Sequence, residues 1–291
     1  MLKYVLYHSG MTEYPNIDAK EWKRFCQELL QHDVTLVKLE TICSMENLQE
    51  SLKDAGIPAE EALLFALSQE EIDACAKLSL ALIGVERPAS VSLCGAQMIL
   101  LGFDEVDYEF INRIWKRKHG LPWTILETKR CYLREMTLDD IDDLFSLYDK
   151  KGVTDYIEPL YERTEEIEYQ RAYIRNMYEY FGYGMWLVKE RSTDKLIGRA
   201  GIDNRMINGQ PELELGYVID PAYQRQGYAA EVCSAILDWV HANLECSRVN
   251  CLIEEGNEAS VRLARKLGFE YCQEAKQDGK CYKRYIKLLL Q

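Results

Sequence analysis

The sequence predicts an α/β protein of two domains, and three observations support this fold class. The chain has 291 residues, which exceeds one average domain. Up to about residue 120, short apolar runs alternate with amphipathic runs of helical period, as in a parallel sheet with helices on both faces. Beyond that point, three strand-like runs follow one another without a helix, which indicates a mixed sheet in an α+β arrangement.

The first part alternates strands and helices regularly. The strand-like runs are "KYVLY", "VTLVKL", "ALLFAL", "ALIGV" and "QMILLGF". The helical runs are "DAKEWKRFCQELLQH", "MENLQESLKDAG", "SQEEIDACAKL" and "DYEFINRIWKRKHG". Gly120 ends the last helix, whose final turn is basic, and Pro122 prevents its continuation. We therefore place a boundary near 121–128 and assign the domains to 1–125 and 126–291.

The second part predicts the order β-α-α-β-β-β-α-β-α-β-β. Its first strand is "CYLREM", and Thr137 and Asp140 stand at capping-box spacing at the start of the next helix. A second helix, "TEEIEYQRAYIRNMYEYF", precedes the three strands "GMWLVKE", "KLIGRAGID" and "ELELGYVID". The remaining elements are the helix "VCSAILDWVHANL", the strand "RVNCLI", the helix "NEASVRLARKLG" and the strands "FEYCQEA" and "CYKRYIKLLL".

The amino-acid composition limits the classes of molecule that the protein is expected to bind. A formal net charge of −13 argues against binding to nucleic acid or anionic membranes and favours cationic partners. The ten cysteines include no Cys-x-x-Cys pair, so we predict no metal site and no redox pair. The N-terminus lacks the long apolar stretch of a signal peptide, and runs such as "LSLALIGV" are too short to span a bilayer. We expect a cytoplasmic protein with reduced thiols; the sequence does not indicate an oligomeric state.

The segment "IDPAYQRQGYAAE" joins a strand to a helix and has the features of an anion site. Pro221 cannot donate a ladder hydrogen bond, and helical periodicity resumes at Tyr228. The backbone N–H groups of residues 225–229 therefore lie at a helix N-terminus, where the helix dipole favours an anion. Gly227 permits a positive φ, and Arg225 adds a cation. A pyrophosphate fits these requirements, while the alternative is an ordinary glycine turn before a helix.

The same segment resembles the GNAT superfamily of N-acetyltransferases. Gln224-x-x-Gly227-x-Ala229 matches that family's Gln/Arg-x-x-Gly-x-Gly/Ala signature, between its fourth strand and third helix. "ELELGYVIDPAYQRQGYAAE" is most similar to the branch that acetylates the N-termini of ribosomal proteins. That branch also tends to carry Asn-x-x-Ser and Lys-Leu-Gly-Phe, which stand here at 257–260 and 266–269.

The resemblance covers about residues 130–291 and implies acetyl-CoA as a co-substrate. It implies that the pantetheine arm and the thioester oxygen bind the backbone of Tyr217, Val218 and Ile219. It assigns the pyrophosphate to Gln224, Arg225, Gln226, Gly227, Tyr228 and Ala229. Asn257 and Ser260 would lie beside the thioester and the pantetheine.

An ammonium cannot attack a carbonyl carbon, so the reaction needs a proton acceptor. Glu214 is the candidate base, directly or through water, and Glu212 is the reserve; the alternative for both is cross-strand pairing. Many members of the family protonate the leaving thiolate with a Tyr where this chain has Ala264. Ser260 is a possible substitute, and water is the alternative proton donor.

The resemblance also places the segment "YIEPLYERTEEIEY" over the entrance for the amine. Tyr156 and Glu158 are the candidate substrate contacts, and Glu162 and Glu165 are further carboxylates that would attract a cationic amine. A solvated helix face is the alternative, and it is the favoured interpretation for Glu165, Glu166 and Glu168. Four histidines fall outside the predicted site and are read as surface or terminal residues: His8, His32, His119 and His241.

The N-terminal half resembles part of a haloacid dehalogenase-like (HAD) domain, over residues 34–115. "ALLFALSQEEIDACAKLSLALIGVERP" is similar to the last third of that domain, and "LLGFDEVDYEFINRIWKRKHGLPWT" to its closing segment. The phosphatase chemistry of that fold needs Asp residues where this chain has His8-Ser9-Gly10 and Leu67. We therefore expect a HAD-like or flavodoxin-like shell without phosphatase activity.

Acetyl transfer from acetyl-CoA to a primary amine is the function that these patterns predict. The amine would be a protein or peptide N-terminus or a small molecule, which the sequence does not identify. One alternative is a non-catalytic acyl-CoA-binding regulator whose N-terminal domain docks a partner. A second alternative, an active N-terminal phosphatase, is opposed by the missing carboxylates.

Overall fold

The computed structural model describes residues 1–39, 44–86, 92–277 and 279–289. The chain divides into two compact units, Met1–Leu121 and Pro122–Gln291. Within the described ranges, no helix has the length and apolar character needed to cross a lipid bilayer.

The first unit is built on a five-stranded sheet of order β2-β1-β3-β4-β5, and every pair in it is parallel. The strands are β1 (Tyr4–His8), β2 (Thr35–Leu39), β3 (Ala62–Ala66), β4 (Ala81–Val85) and β5 (Met98–Leu100). The helices are α1 (Ala19–Gln31), α2 (Met45–Asp54), α3 (Gln69–Cys75) and α4 (Tyr108–Lys118). The parallel sheet predicted from the alternating pattern is thereby confirmed.

Two separate apolar cores show that helices cover both faces of this sheet. Phe25 of α1 and Ile111 of α4 pack in one core, and Leu48 of α2 and Ile72 of α3 pack in the other. Every residue of β3 and β4 is buried, which is the behaviour of central parallel strands. Continuous apolar runs such as "ALLFA" therefore mark the middle of the sheet.

The prediction that His8 is a surface residue is wrong. His8 ends β1, is only 8% exposed, and places its Nε2 3.4 Å from Oε1 of Glu71 in α3. The other oxygen of Glu71 accepts a hydrogen bond of 2.6 Å from the backbone N–H of Leu67. Because β1 and β3 are parallel neighbours, their carboxyl ends meet at one edge, and the side chain of Glu71 lies over that edge.

The second unit is an eight-stranded mixed sheet of order β12-β13-β11-β10-β9-β8-β7-β6. Its strands are β6 (Thr124–Glu127), β7 (Cys131–Arg134), β8 (Met185–Glu190), β9 (Leu196–Ile207), β10 (Gln210–Ile219), β11 (Arg248–Glu254), β12 (Glu270–Gln277) and β13 (Lys280–Leu288). Its helices are α5 (Ile141–Tyr148), α6 (Arg163–Tyr173), α7 (Tyr228–Asn243) and α8 (Glu258–Lys266), and α6 continues into the π-helical segment Ile174–Phe181. The predicted mixed sheet is confirmed, but β6 was missed because "TILE" was read as part of the domain boundary.

The hairpin of β9 and β10 sets the register of the site. Asn208 and Gly209 form its turn with φ values of 53° and 78°, the pattern of a type I′ turn. The ladder runs without a shift from Gln210 opposite Ile207 to Ile219 opposite Gly198. The two residues of each opposed pair therefore point to the same face of the sheet, and that face alternates from one pair to the next.

Candidate active site

A gap between two parallel strands forms the centre of the candidate site. In the described residues, the ladder between β10 and β11 contains a single pair, Glu214 with Asn250. Beyond that pair, the thiol of Cys251 donates to the carbonyl oxygen of Leu215 at 3.8 Å. The edge of residues 216–219 that faces β11 therefore has no strand partner among the described residues.

The turn after β10 presents backbone N–H groups at the start of α7. Arg225 and Gly227 both lie in the left-handed region, with φ values of 59° and 85°. After Gln224, the next backbone N–H in the described chain that donates to a backbone carbonyl belongs to Glu231. Its acceptor is the carbonyl of Gly227, at 3.0 Å. Consecutive N–H groups around left-handed residues form a concave anion site, and the helix dipole adds to its positive potential.

Arg130 is a residue of this site that the sequence analysis did not find. Its Nη1 donates to the carbonyl oxygen of Gln226 at 3.0 Å, and its guanidinium lies 3.9 Å from the ring centroid of Tyr228. Its Nε donates to Glu231 at 2.7 Å. Burial alone would raise the pKa of Glu231, but hydrogen bonds from Thr128 and Arg130 hold it below its usual value. Arg130 precedes β7, so only the folded sheet brings it to the helix mouth.

The side chains of the predicted pyrophosphate loop hold the turn in shape. Gln224 donates through Nε2 to the carbonyl of Ile219 at 2.9 Å, and Gln226 donates to the carbonyl of Ala222 at 2.7 Å. The ring of Tyr228 is buried, and its hydroxyl donates to Glu190 at 2.9 Å. These contacts leave the backbone N–H groups as the part of the loop that is available to a ligand.

The start of α8 links Asn257 and Ser260, the two residues of the Asn-x-x-Ser motif. Asn257 caps the helix, since its Oδ1 accepts from the backbone N–H of Ser260 at 3.1 Å. The Ser260 hydroxyl is close enough to the phenol of Tyr217 to influence its ionisation. Burial raises the pKa of Tyr217 well above its usual value, and Ser260 opposes that shift. Ala264 is 3% exposed and contributes only to the core.

Glu214 belongs to a cluster of two carboxylates and one guanidinium. Its Oε2 accepts from Nε of Arg205 at 3.0 Å, and Nη2 of the same arginine lies 3.8 Å from Asp203, the residue directly across the hairpin. Burial raises the pKa of Glu214 and of Asp203, and Arg205 opposes both shifts. Asp203 was missed, although the register from the Asn208 turn would have located it. Across the described ranges, no group of three or more His, Cys, Asp or Glu residues is arranged to hold a metal ion.

Glu212 has different surroundings, which do not suit the reserve role of a base. It accepts hydrogen bonds from Nε of Arg248 at 2.9 Å, Nδ2 of Asn250 at 3.1 Å and Nη2 of Arg284 at 2.9 Å. Hydrogen bonding from Arg248 lowers the pKa of Glu212 to about 2, against the effect of burial. A carboxylate held this firmly in its charged form is a poor proton acceptor.

Tyrosines from α6 and the segment before it lie near the carboxylate cluster. The rings of Tyr161 and Tyr169 are 5.4 Å apart, and both side chains are nearly half exposed. Asp203 and Arg205 are close enough to Tyr169 to influence its ionisation. The guanidinium of Arg199 lies 5.2 Å from the ring centroid of Tyr173, further along α6. An exposed aromatic surface therefore borders the partly buried acidic groups.

The predicted substrate residues Tyr156 and Glu158 lie at the other side of the gap. The hydroxyl of Tyr156 donates to the carbonyl of Gly256 at 3.0 Å, just before α8. Glu158 is exposed and lies 3.7 Å from Nζ of Lys280, which is also 3.6 Å from Glu254. The structure therefore places Tyr156 against the α8 turn and pairs Glu158 with a lysine.

Glu166 was read as part of a solvated helix face, and that reading is wrong. Its side chain is 1% exposed. One oxygen accepts from the backbone N–H of Tyr161 at 3.0 Å and the other from Gln170 at 2.6 Å. Glu166 therefore fixes the chain that enters α6, whereas Glu162 and Glu165 are exposed.

Comparisons with known proteins show which proteins this chain is similar to. A family model described as an acetyltransferase (GNAT) domain matches residues 130–270. The uncharacterized N-acetyltransferase YoaA of Bacillus subtilis is 33% identical over 149 residues, which cover 50% of this chain and 82% of that protein. The uncharacterized protein YkkB of B. subtilis is 30% identical over 158 residues, 54% of this chain and 91% of that protein. A putative ribosomal-protein-serine acetyltransferase from Vibrio cholerae superposes with a TM-score of 0.48 and 24% identity, over 57% of this chain and 97% of that structure.

Proposed function

The chain belongs to the GNAT acetyltransferase family, and from that premise we propose that it transfers an acetyl group from acetyl-CoA to a primary amine. GNAT acetyltransferases as a family act on amine substrates. The observation that carries the proposal is the continuity of two features: the edge of residues 216–219, which has no strand partner on the β11 side among the described residues, leads directly into the N–H groups of residues 225–229.

These two features match two parts of acetyl-CoA. The amide groups of the pantetheine arm would pair with the backbone of Tyr217, Val218 and Ile219 as a further strand would, and would displace the side chain of Gln224 from the carbonyl of Ile219. The pyrophosphate would accept from the N–H groups at the start of α7, with Arg130 and Arg225 as cations. A backbone N–H at the gap would stabilise the negative charge that develops on the thioester oxygen.

Glu214 is the proposed base in this reaction. An ammonium group must lose a proton before its nitrogen can attack the acetyl carbon. A carboxylate whose pKa is raised by burial is a better proton acceptor than an exposed one. The amine then bonds to the carbonyl carbon, the C–S bond breaks, and the electron pair leaves with the sulfur.

The surroundings of Glu214 favour a cationic acceptor. Asp203 adds a second partly buried carboxylate, and the exposed rings of Tyr161 and Tyr169 offer faces that attract a cation. The ammonium form of the substrate would compete with Arg205 for both carboxylates. We propose Tyr156 and Glu158 as contacts at the entrance, and a peptide N-terminus or a small amine as the acceptor.

For the first unit we propose a HAD-like or flavodoxin-like shell without phosphatase chemistry. Its strand order, 2-1-3-4-5, is the flavodoxin-like order. At the sheet edge where the phosphatase chemistry would need carboxylates, β1 ends in His8 and β3 is followed by Leu67. Magnesium-dependent hydrolysis of a phosphate ester by the full chain would contradict this proposal.

The test is the release of CoA thiol from acetyl-CoA by the full chain in the presence of a panel of amines. The panel should contain peptides with free N-termini, the same peptides with blocked N-termini and free lysines, and polyamines. We expect release that depends on an amine, with the acetyl group recovered on its nitrogen by mass spectrometry. Tight CoA binding without turnover on any amine would instead support a non-catalytic acyl-CoA sensor.

A further inference from the structure

Two glycines in line cross the sheet of the second unit beside the proposed thioester site. Gly201 of β9 lies opposite both Met185 of β8 and Gly216 of β10, so the three residues form one row across three strands. A methyl group added at the Cα of Gly201 would overlap the carbonyl oxygen of Gly184. The backbone at the start of β8 therefore passes directly over Gly201, which only a residue without a side chain allows.

The side chain of Met185 continues this row as far as Gly216. A methyl carbon added at the Cα of Gly216 would lie 3.0 Å from the Met185 sulfur and 3.2 Å from its Cε, so the thioether fills the space over this glycine. The strands lie in the order β8-β9-β10-β11, so a side chain that runs from β8 to β10 points toward the β11 side. The end of Met185 therefore lies beside the gap that we assign to the thioester, just beyond the described pair of Glu214 with Asn250.

Two buried tyrosines hold Met185 in this position. The phenol of Tyr173 accepts from the backbone N–H of Met185 at 2.7 Å, and the phenol of Tyr178 donates to its carbonyl oxygen at 2.6 Å. Both also pack against Gly184, where an added methyl carbon would lie 2.9 Å from the ring of Tyr178 and 3.0 Å from the hydroxyl of Tyr173. Withdrawal of the Met185 backbone from Gly216 would break both hydrogen bonds, so only the flexible thioether itself can adjust.

We propose that Met185 determines the length of the acyl group that this chain accepts, because its thioether fills the space that a chain longer than acetyl would enter. This inference rests on the proposed use of acetyl-CoA. Glu214, the proposed base, stands two positions before Gly216 and faces the same side of β10, so the amine approaches the carbonyl carbon over this part of the sheet. A longer acyl chain would extend over Gly216 and meet the sulfur and Cε of Met185.

The test compares acetyl-CoA with butyryl-CoA, whose acyl chain is longer by two methylene groups. Calorimetry on the full chain gives the Kd of each ester, and CoA release with an amine that wild type accepts gives each kcat/KM. Wild type should favour acetyl-CoA at least about tenfold, since one methylene group in a closed pocket is worth about 10–200-fold. Met185→Ala removes the thioether and should raise the preference for butyryl-CoA relative to acetyl-CoA at least about tenfold.

Matched variants separate this effect from a general loss of structure. Met206→Ala is the control, because Met206 also belongs to the sheet but is 60% exposed, and this variant should leave the preference unchanged. Met185→Val leaves a smaller apolar side chain and should change the preference in the same direction as Met185→Ala but less. It provides a second reading if Met185→Ala folds poorly.

The outcomes distinguish this inference from the proposed function. A preference between the two esters that is equal in wild type and in both Met185 variants would overturn the inference while leaving acetyl transfer intact. Wild type that binds and uses both esters equally well would overturn it in the same way. Wild type that binds neither ester would overturn the proposed function together with this inference.

Discussion

Glu212 and Glu214 stand two positions apart on β10 and face the same side of the sheet, yet their neighbours give them opposite properties. Arg248 and Arg284 hold Glu212 in its charged form, whereas burial opposes the charge of Glu214. The sequence alone does not distinguish the two carboxylates of "ELELG" as candidate bases. Only the family resemblance ranks Glu214 above Glu212. The partners come from β9, β11 and β13, and their identity depends on the strand register.

The first prediction concerns stability and follows from the lowered pKa of Glu212. Glu212→Gln should lower the free energy of unfolding by about 3 kcal/mol at pH 7, because two arginines lose their buried partner. The folded-state pKa of about 2 lies below the usual 4.5, so the contribution of Glu212 is present above pH 4.5 and is lost as the pH falls toward 2. The difference between wild type and variant, measured by urea unfolding, should therefore shrink over that range.

Glu214→Gln is the matched control for this measurement. Its folded-state pKa is raised, so ionised Glu214 opposes folding at neutral pH, and removing the charge should leave the protein as stable or more stable. Equal losses of stability in the two variants at pH 7 would show that the two carboxylates do not differ in the way described.

At the scale of elements, the turn between β10 and α7 connects local sequence to ligand binding. Pro221 lies in a short 3₁₀ turn after β10, Tyr228 begins α7, and Gly227 between them takes a positive φ. All three follow from local chemistry and were read from the sequence. The additional cation, Arg130, was not, because it reaches the turn from a distant part of the chain.

The second prediction concerns that turn. Gly227→Glu should weaken CoA binding by at least about 100-fold, or about 2.8 kcal/mol, since it adds a negative charge and a side chain to the proposed pyrophosphate site. Calorimetry with CoA on the folded variant measures this. Gly209→Glu is the control, because Gly209 also has a positive φ but lies at the opposite end of β10. Equal affinity of the two variants for CoA would remove the pyrophosphate assignment.

At the scale of the whole molecule, the pattern of elements was largely predictable and the pattern of contacts was not. Apolar periodicity located the helices and strands of both sheets, because burial on one or both faces dictates that periodicity. β6 escaped notice because a four-residue strand beside Gly120 and Pro122 resembles a linker. The burial of His8 depends on Glu71, which lies far from it in the sequence, and Glu166 is buried although its hydrogen-bond partners Tyr161 and Gln170 are local.

The two units also differ in how far the related proteins cover them. The family model and the two B. subtilis relatives cover only about half of the chain, and the family model covers residues 130–270. The function proposed for the second unit therefore has independent support from relatives. The proposal for the first unit depends on its strand order and on the residues at the edge of its sheet.

The most direct test of the account is the rate of CoA release by wild type and by Glu214→Gln, with one amine substrate, across a range of pH. We predict that wild type turns over at neutral pH and that Glu214→Gln is slow below the pKa of the amine. Above that pKa the variant should recover, near pH 8 for an α-amine and near about 10.4 for a lysine amine, because the free base then needs no proton acceptor. Equal rates for the two proteins at every pH would contradict the role of Glu214, and the absence of turnover in wild type with every amine would contradict acetyl transfer itself.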